Sequence, residues 1–135
     1  MADVYNSQGR YEEALEHYGR SLKVKLKVLG EEHPSTAATL SGIADVYKRQ
    51  GRYEEALEHY GRSLKVCLKV LGEEHPSTAT TLNNIALVYK SQGRYEEALE
   101  HYDAAARVYT RAHGPEHAKT LDALAKASAA RAVCT

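Results

Sequence analysis

One ten-residue run, Gly-Arg-Tyr-Glu-Glu-Ala-Leu-Glu-His-Tyr, occurs three times without a change, at 9–18, 51–60 and 93–102, a step of 42 residues each time. A second run keeps the same step. Gly-Glu-Glu-His-Pro-Ser-Thr stands at 30–36 and 72–78, and decays to Gly-Pro-Glu-His-Ala-Lys-Thr at 114–120. Identity at a fixed period constrains the fold more than any other feature here. A unit of roughly 40 residues cannot bury its apolar face alone, so neighbouring units must stack and share one core. The expected organisation is a single array: a partial first helix at 1–8, repeat units at 9–50, 51–92 and 93–116, and a closing helix at 117–135.

Inside one unit the apolar spacing is helical throughout, and no segment alternates as a strand would. Residues 35–50 carry Leu40, Ile43, Ala44, Val46 and Tyr47 on one side. Pro34 suits the first turn, where a missing N–H costs nothing, and Gly51 suits the residue after the last turn. Residues 53–71 carry Tyr53, Leu57, Tyr60, Leu64, Leu68 and Leu71 at steps of three and four. Glu54 and Glu55 open that helix, and Lys65 and Lys69 lie toward its end, as the helix dipole favours. The chain is therefore predicted to be all-α. Nine of the ten tyrosines recur at three repeat positions. They are expected to pack between helices with their hydroxyls reaching the surface. Gly19 and Gly61, inside the second helix, are expected to mark a close helix crossing. The third unit has Ala106, Thr110 and His113 where the second has Leu64, Leu68 and Leu71. The alanine-rich segment 119–133 reads as a terminal cap with a less apolar outer face.

Charge and chemistry exclude several classes. Lys plus Arg equals Asp plus Glu at 18 each, which argues against a nucleic-acid footprint or a polybasic membrane patch. No apolar run approaches the ~20 residues of a membrane span, and no leader is evident, so a soluble cytoplasmic protein is expected. Cys67 and Cys134 hold non-equivalent repeat positions. Cys67 aligns with Lys25 and Tyr109, a tolerant position expected to face solvent, and both thiols read as incidental. Six of the seven histidines follow the period: His17, His59 and His101, then His33, His75 and His117. Copied with the framework, they read as residues that cap or pack a turn. His113 and His117 are separated by Gly114 and Pro115 and need not share a face. Neither a metal site nor a cofactor is expected. With no phosphate-cradling loop, nucleophile elbow or dinucleotide fingerprint, the chain is not expected to be an enzyme.

The run Leu82, Ile85, Ala86, Tyr89, Gly93, Tyr95, Ala98, Tyr102 and Ala105 resembles the tetratricopeptide repeat pattern. The long unit, with Leu-Gly-x-x-His-Pro between repeats, is similar to the kinesin-light-chain type of that repeat. Leu68 and Thr110 stand where the shorter form of the family places a proline that closes the second helix. The resemblance implies a right-handed superhelical solenoid of antiparallel helix pairs whose first helices line a concave groove. It also implies a non-enzymatic scaffold that binds a peptide segment of a protein partner.

Units 9–50 and 51–92 differ at six of 42 positions: Lys25/Cys67, Ala38/Thr80, Ser41/Asn83, Gly42/Asn84, Asp45/Leu87 and Arg49/Ser91. Five of these fall in the first helix, and their spacing traces one helical stripe that avoids Leu40, Ile43 and Tyr47. Drift since duplication would have scattered the changes over both helices. By resemblance, the stripe matches the groove positions that touch bound peptides. A solvent-exposed face that merely tolerates change is the alternative. The predicted groove holds Asp3, Asn6 and Ser7 from the first unit and Ser41, Gly42, Asp45, Lys48 and Arg49 from the second. Thr80, Asn83, Asn84, Leu87, Lys90 and Ser91 come from the third. Asn83 and Asn84 can pair with a peptide backbone, and Lys48, Arg49 and Lys90 can meet carboxylates. The resemblance implies acidic segments beside an aromatic anchor, with Asn84 at an asparagine position of the family and Gly42 departing from it. Asp45 and Leu87 stand where the carboxylate clamp of chaperone-binding relatives has asparagine. Two other roles stay open: a self-associating module stacking end to end as a homo-oligomer, and an engineered, consensus-like protein without a ligand. Met1 falls at the position of Ile43, so a fragment of a longer array is expected.

Overall fold

The computed structural model describes residues 10–134. Six helices lie within them: α1 (Tyr11–Val28), α2 (Pro34–Arg49), α3 (Tyr53–Val70), α4 (Pro76–Ser91), α5 (Tyr95–His113) and α6 (Ala118–Cys134). No strand occurs among the described residues. The ends of α2, α3 and α6 fall within one residue of those expected, because glycine and histidine punctuate the chain where the helical spacing stops; the partial helix expected at 1–8 lies outside the described residues.

The loop that starts α2, α4 and α6 is built the same way three times. Gly30, Gly72 and Gly114 adopt φ of 87°, 94° and 92°, a left-handed conformation that favours glycine. His33 and His75 then sit in extended backbone as N-caps, and proline follows at the first helical position of α2 and α4. The Nδ1 of His33, His75 and His117 accepts a hydrogen bond from the N–H two residues on, at 3.0, 3.0 and 3.1 Å. The buried hydroxyls of Thr36, Thr78 and Thr120 donate back to the carbonyls of Gly30, Gly72 and Gly114 at 2.9, 2.8 and 2.8 Å. The third copy has lost proline and serine, yet it retains the three residues that make these bonds.

The chain divides into two compact units, Met1–Val70 and Leu71–Thr135. In the first, α2 packs against α1 and α3. Its core includes Leu40, Ile43, Ala44, Val46 and Ala56, and the alanines let the backbones approach closely. An exposed ion pair joins Lys69 to Glu32. In the second unit α5 packs against α4 and α6. One cluster gathers Ala79, Ala105, Ala106, Tyr109 and Ala123, and another gathers Ala86, Ala98, Tyr102, Ala127 and Ala130. Arg111 pairs with Glu74, one repeat on from Lys69 and Glu32.

Several expectations are corrected by packing. Cys67 is buried, at 4% exposure. Tolerance at its repeat position reflects three different ways of filling an inward site: Lys25 donates to the Thr39 hydroxyl at 2.7 Å, and the Tyr109 hydroxyl bonds that of Thr80 at 2.7 Å. Gly19 and Gly61 are exposed, and a β-carbon at either would meet no atom within 4 Å, so neither marks a helix crossing. The Tyr60 and Tyr102 hydroxyls do not reach the surface; they are buried without a partner. Leu68 is 42% exposed rather than packed, and Leu121 and Leu124 on α6 are 53% and 46% exposed, so that helix presents an apolar outer face. The rings of His113 and His117 stack with centroids 4.3 Å apart, because the chain reverses through Gly114 and brings the second ring back over the first.

Candidate functional site

The variable stripe splits into two edges. One edge turns toward the second helix of its own unit. In the first unit the Ser41 hydroxyl lies 2.7 Å from that of Ser63 on α3, which also donates to the Ala37 carbonyl at 2.9 Å. In the second unit the equivalent positions are Asn83 and Ala105. With no hydroxyl opposite, the Asn83 Oδ1 is buried and unpartnered. Thr80 and Tyr109 form a hydrogen-bonded pair on α4 and α5, while Ala38 and Cys67 occupy the same two positions one unit earlier. Thus the Ala38/Thr80 difference in the first helix goes with a Cys67/Tyr109 difference at the position that Thr80 bonds on the next helix. Variation on this edge follows helix pairing.

Gly42 lies between the edges. Its missing side chain makes room for the Tyr18 ring, whose Cε1 and Cζ would lie 2.6 and 2.7 Å from an added β-carbon. The departure at Gly42 therefore has a packing cause.

The other edge is chemically different in the two units. In the first, Asp45 is held by Lys48 at 3.2 Å and by Arg49 at 3.1 Å. Burial alone would raise the Asp45 carboxyl, but the charges and hydrogen bonds of Lys48 and Arg49 outweigh it and hold the group below its ordinary value. The one carboxylate is shared by two cations, so the cluster keeps a net positive charge. In the second unit Leu87 replaces Asp45 and Ser91 replaces Arg49. Lys90, the counterpart of Lys48, is exposed and has no ion pair among the described residues. Half-buried Asn84 and Leu87 lie on the same stripe, with exposed Ser91 a turn further on. An unpaired cation, an amide and an apolar side chain along one face can meet a carboxylate, a peptide group and an apolar anchor. The stripe residues Asp3, Asn6 and Ser7 lie outside the described residues.

A cleft of about 330 Å³ in the first unit is floored by Leu26, Leu40 and Val66 and rimmed by charged residues including Arg62 and Lys65; no stripe residue lines it. No group of three or more potential metal ligands occurs among the described residues. His33, His75 and His117 use Nδ1 as an acceptor, which requires the proton on Nε2, so none can ligate a metal without giving up its cap. No described helix is long and apolar enough to cross a membrane.

Sequence signals for the inward edge existed only as pairs. Ser41 with Ser63, and Thr80 with Tyr109, are separated by 22 and 29 residues, and each partner changes between units. Nothing in the sequence pointed to Tyr18 as the cover of Gly42.

The family profile described as tetratricopeptide repeat matches residues 1–69, 36–103 and 77–132. No curated protein matches the chain. Among solved structures, BtubC (BKLC) from P. vanneervenii superposes with a TM-score of 0.90 at 22% identity, over 98% of this chain and 53% of that one. A kinesin-light-chain-like protein with nearly identical TPR-like repeats from Podosopora anserina gives 0.87 at 26% identity, over 98% and 63%. The apo form of RapI gives 0.82 at 21% identity, over 97% and 46%. The chain thus spans about half to two thirds of the length of these structures.

Proposed function

Since the chain belongs to the tetratricopeptide repeat family, we propose that it is a non-enzymatic protein-interaction scaffold that holds a peptide segment of a partner against the varied face of its first helices. The observation that carries the reading is the change between units at constant framework. Asp45 becomes Leu87, which leaves Lys90 without the carboxylate that occupies Lys48. A partner segment complementary to α4 carries an acidic side chain for Lys90 and an apolar one for Leu87. Its main chain pairs with the amide of Asn84, which can both donate and accept. On α2 Asp45 is already engaged by Lys48 and Arg49, so those three contribute by exchanging their mutual ion pairs for the partner's. Ser41, Thr80 and Asn83 shape the face through the second helices. Asp3, Asn6 and Ser91 complete the proposed set, and the setting is a cytoplasmic one.

The test is capture of acidic peptides carrying an apolar anchor by the full chain and by a variant with Asn84→Ala and Lys90→Ala. Neither side chain has a hydrogen-bond or ion-pair partner among the described residues, so helicity should be unchanged while capture is lost. Capture that survives the double substitution overturns the assignment to α4.

Self-association is the second reading, favoured by Leu121 and Leu124, exposed three residues apart on α6. Light scattering over a concentration range separates the two: a strict monomer at high concentration counts against it.

A further inference from the structure

Hydrogen bonding sorts five of the periodic histidines by the tautomer each must hold. An amide N–H can only donate, so the Nδ1 of His33, His75 and His117 must offer a lone pair at the three caps. Those rings are neutral with the proton on Nε2. His59 and His101 do the reverse. Their Nδ1 atoms lie 2.9 and 2.8 Å from the carbonyl oxygens of Glu55 and Glu97, which can only accept, so here Nδ1 donates. Protonation of the ring leaves that second kind of bond intact and abolishes the first.

We propose that His33, His75 and His117 make the starts of α2, α4 and α6 a concerted acid-sensitive device, in which protonating the caps loosens three helix starts while the histidines of α3 and α5 keep their bonds. An imidazolium has no lone pair at Nδ1, and its positive charge at a helix N-terminus opposes the dipole as well. Charged neighbours differ among the caps. His33 shares its loop with Glu31 and Glu32; Lys69 of α3 pairs with Glu32, and Lys25 of α1 donates to the Ser35 carbonyl. His75 shares its loop with Glu73 and Glu74, and Arg111 of α5 pairs with Glu74. His117 has Glu116 and Lys119 beside it and the His113 ring stacked on it, with Tyr109 stacked on His113 in turn. Desolvation, then the charges of His117 and Lys119, push His113 below the ordinary imidazole value. Native His113 therefore binds protons more weakly than the unfolded chain, and stability falls as pH drops through the ordinary histidine range, in the same direction as cap loss. The hydroxyl bonds of Thr36, Thr78 and Thr120 to the glycine carbonyls do not titrate, so the joints loosen and remain connected.

The experiment compares thermal melting of the full chain by circular dichroism from about pH 7.5 to about pH 5, the range in which histidine changes charge. A His33→Asn, His75→Asn, His117→Asn variant keeps a capping acceptor that does not titrate; a His59→Gln, His101→Gln variant is the control. The wild type should lose roughly 5–10 °C of Tm across the range, an amount consistent with weakening several caps. The asparagine variant should lose less than half of that, and the control should fall with the wild type. An asparagine variant that falls as far as the wild type overturns the proposal. Nitrogen-15 NMR of the wild-type imidazoles gives a readout independent of variant folding. The cap rings must be Nε2-protonated near neutral pH, and a proton on Nδ1 at any two caps refutes the device outright.

Discussion

Tyr18 lies over Gly42 so closely that a β-carbon at residue 42 would sit 2.6 Å from its Cε1. The contact joins α1 to α2 across the one stripe position that has no side chain. Substituting Gly42→Asn, the residue found one unit later, should lower stability by less than about 1 kcal/mol, because the atoms in the way are the far end of the Tyr18 side chain, which can shift. Adding Tyr18→Leu should recover part of the loss, and urea unfolding of the double-mutant cycle measures it. Strict additivity would show that the contact does not set the cost.

The buried hydroxyls of Tyr60 and Tyr102 lead to an unusual pair of expectations. Removing a hydroxyl that has no partner should be nearly neutral or slightly stabilising, so Tyr60→Phe should change unfolding free energy by less than about 0.5 kcal/mol. Burial pushes both phenols up, with the Asp45 charge adding at Tyr60 and that of Asp122 at Tyr102. The folded state therefore favours the neutral phenol. This stability is fully present below the ordinary value near 10.0 and is lost as pH rises beyond it. Absorbance at the phenolate band should show two tyrosines that ionise only as helical ellipticity collapses.

Asp45 has the opposite sign. Its carboxyl is held below 3.8 by Lys48 and Arg49 against the effect of burial. The contribution is complete above that value and lost as pH falls through the folded one. Because the triad is partly exposed, Asp45→Asn should cost only about 0.5 kcal/mol near neutral pH. Carboxyl carbon NMR titration measures the midpoint directly, and a midpoint at or above the ordinary value would refute the triad.

Thiol labelling tests the packing of the second helices. Cys67 is buried and Cys134 is not. One thiol per folded chain should react promptly with a disulfide reagent, and the second only on unfolding. Cys67→Lys, which restores the residue of the preceding unit, should destabilise the fold, since a long charged side chain would replace one that is 4% exposed.

The helices were legible in the sequence because periodic apolar residues and left-handed glycines are local signals. The histidines were legible as caps for the same reason, since His33 reaches only to Ser35. Side-chain pairs across helices were not. Cys67 looked exposed because its repeat position also holds a lysine and a tyrosine, yet both of those long side chains turn inward to a threonine hydroxyl. The stripe was visible as a pattern of difference. Its division into an edge facing the second helix and an edge facing outward depended on knowing that Ser41 meets Ser63. Sequence position could not show that two of the five stripe differences lie opposite a position on another helix that changes as well.

The decayed loop at Gly114, His117 and Thr120 carries a consequence for how such a chain can change. A left-handed residue, a ring acceptor and a hydroxyl start a helix there with Ala118 and Lys119 in place of the proline and serine that follow His33 and His75. Three of the seven positions in the joint are replaced in this copy, so the surfaces of successive helices can diverge while their points of attachment stay alike. Grafting a helix from one unit to another then centres on preserving a glycine, a histidine and a threonine per junction, which makes the array a substrate for recombination as much as for point substitution.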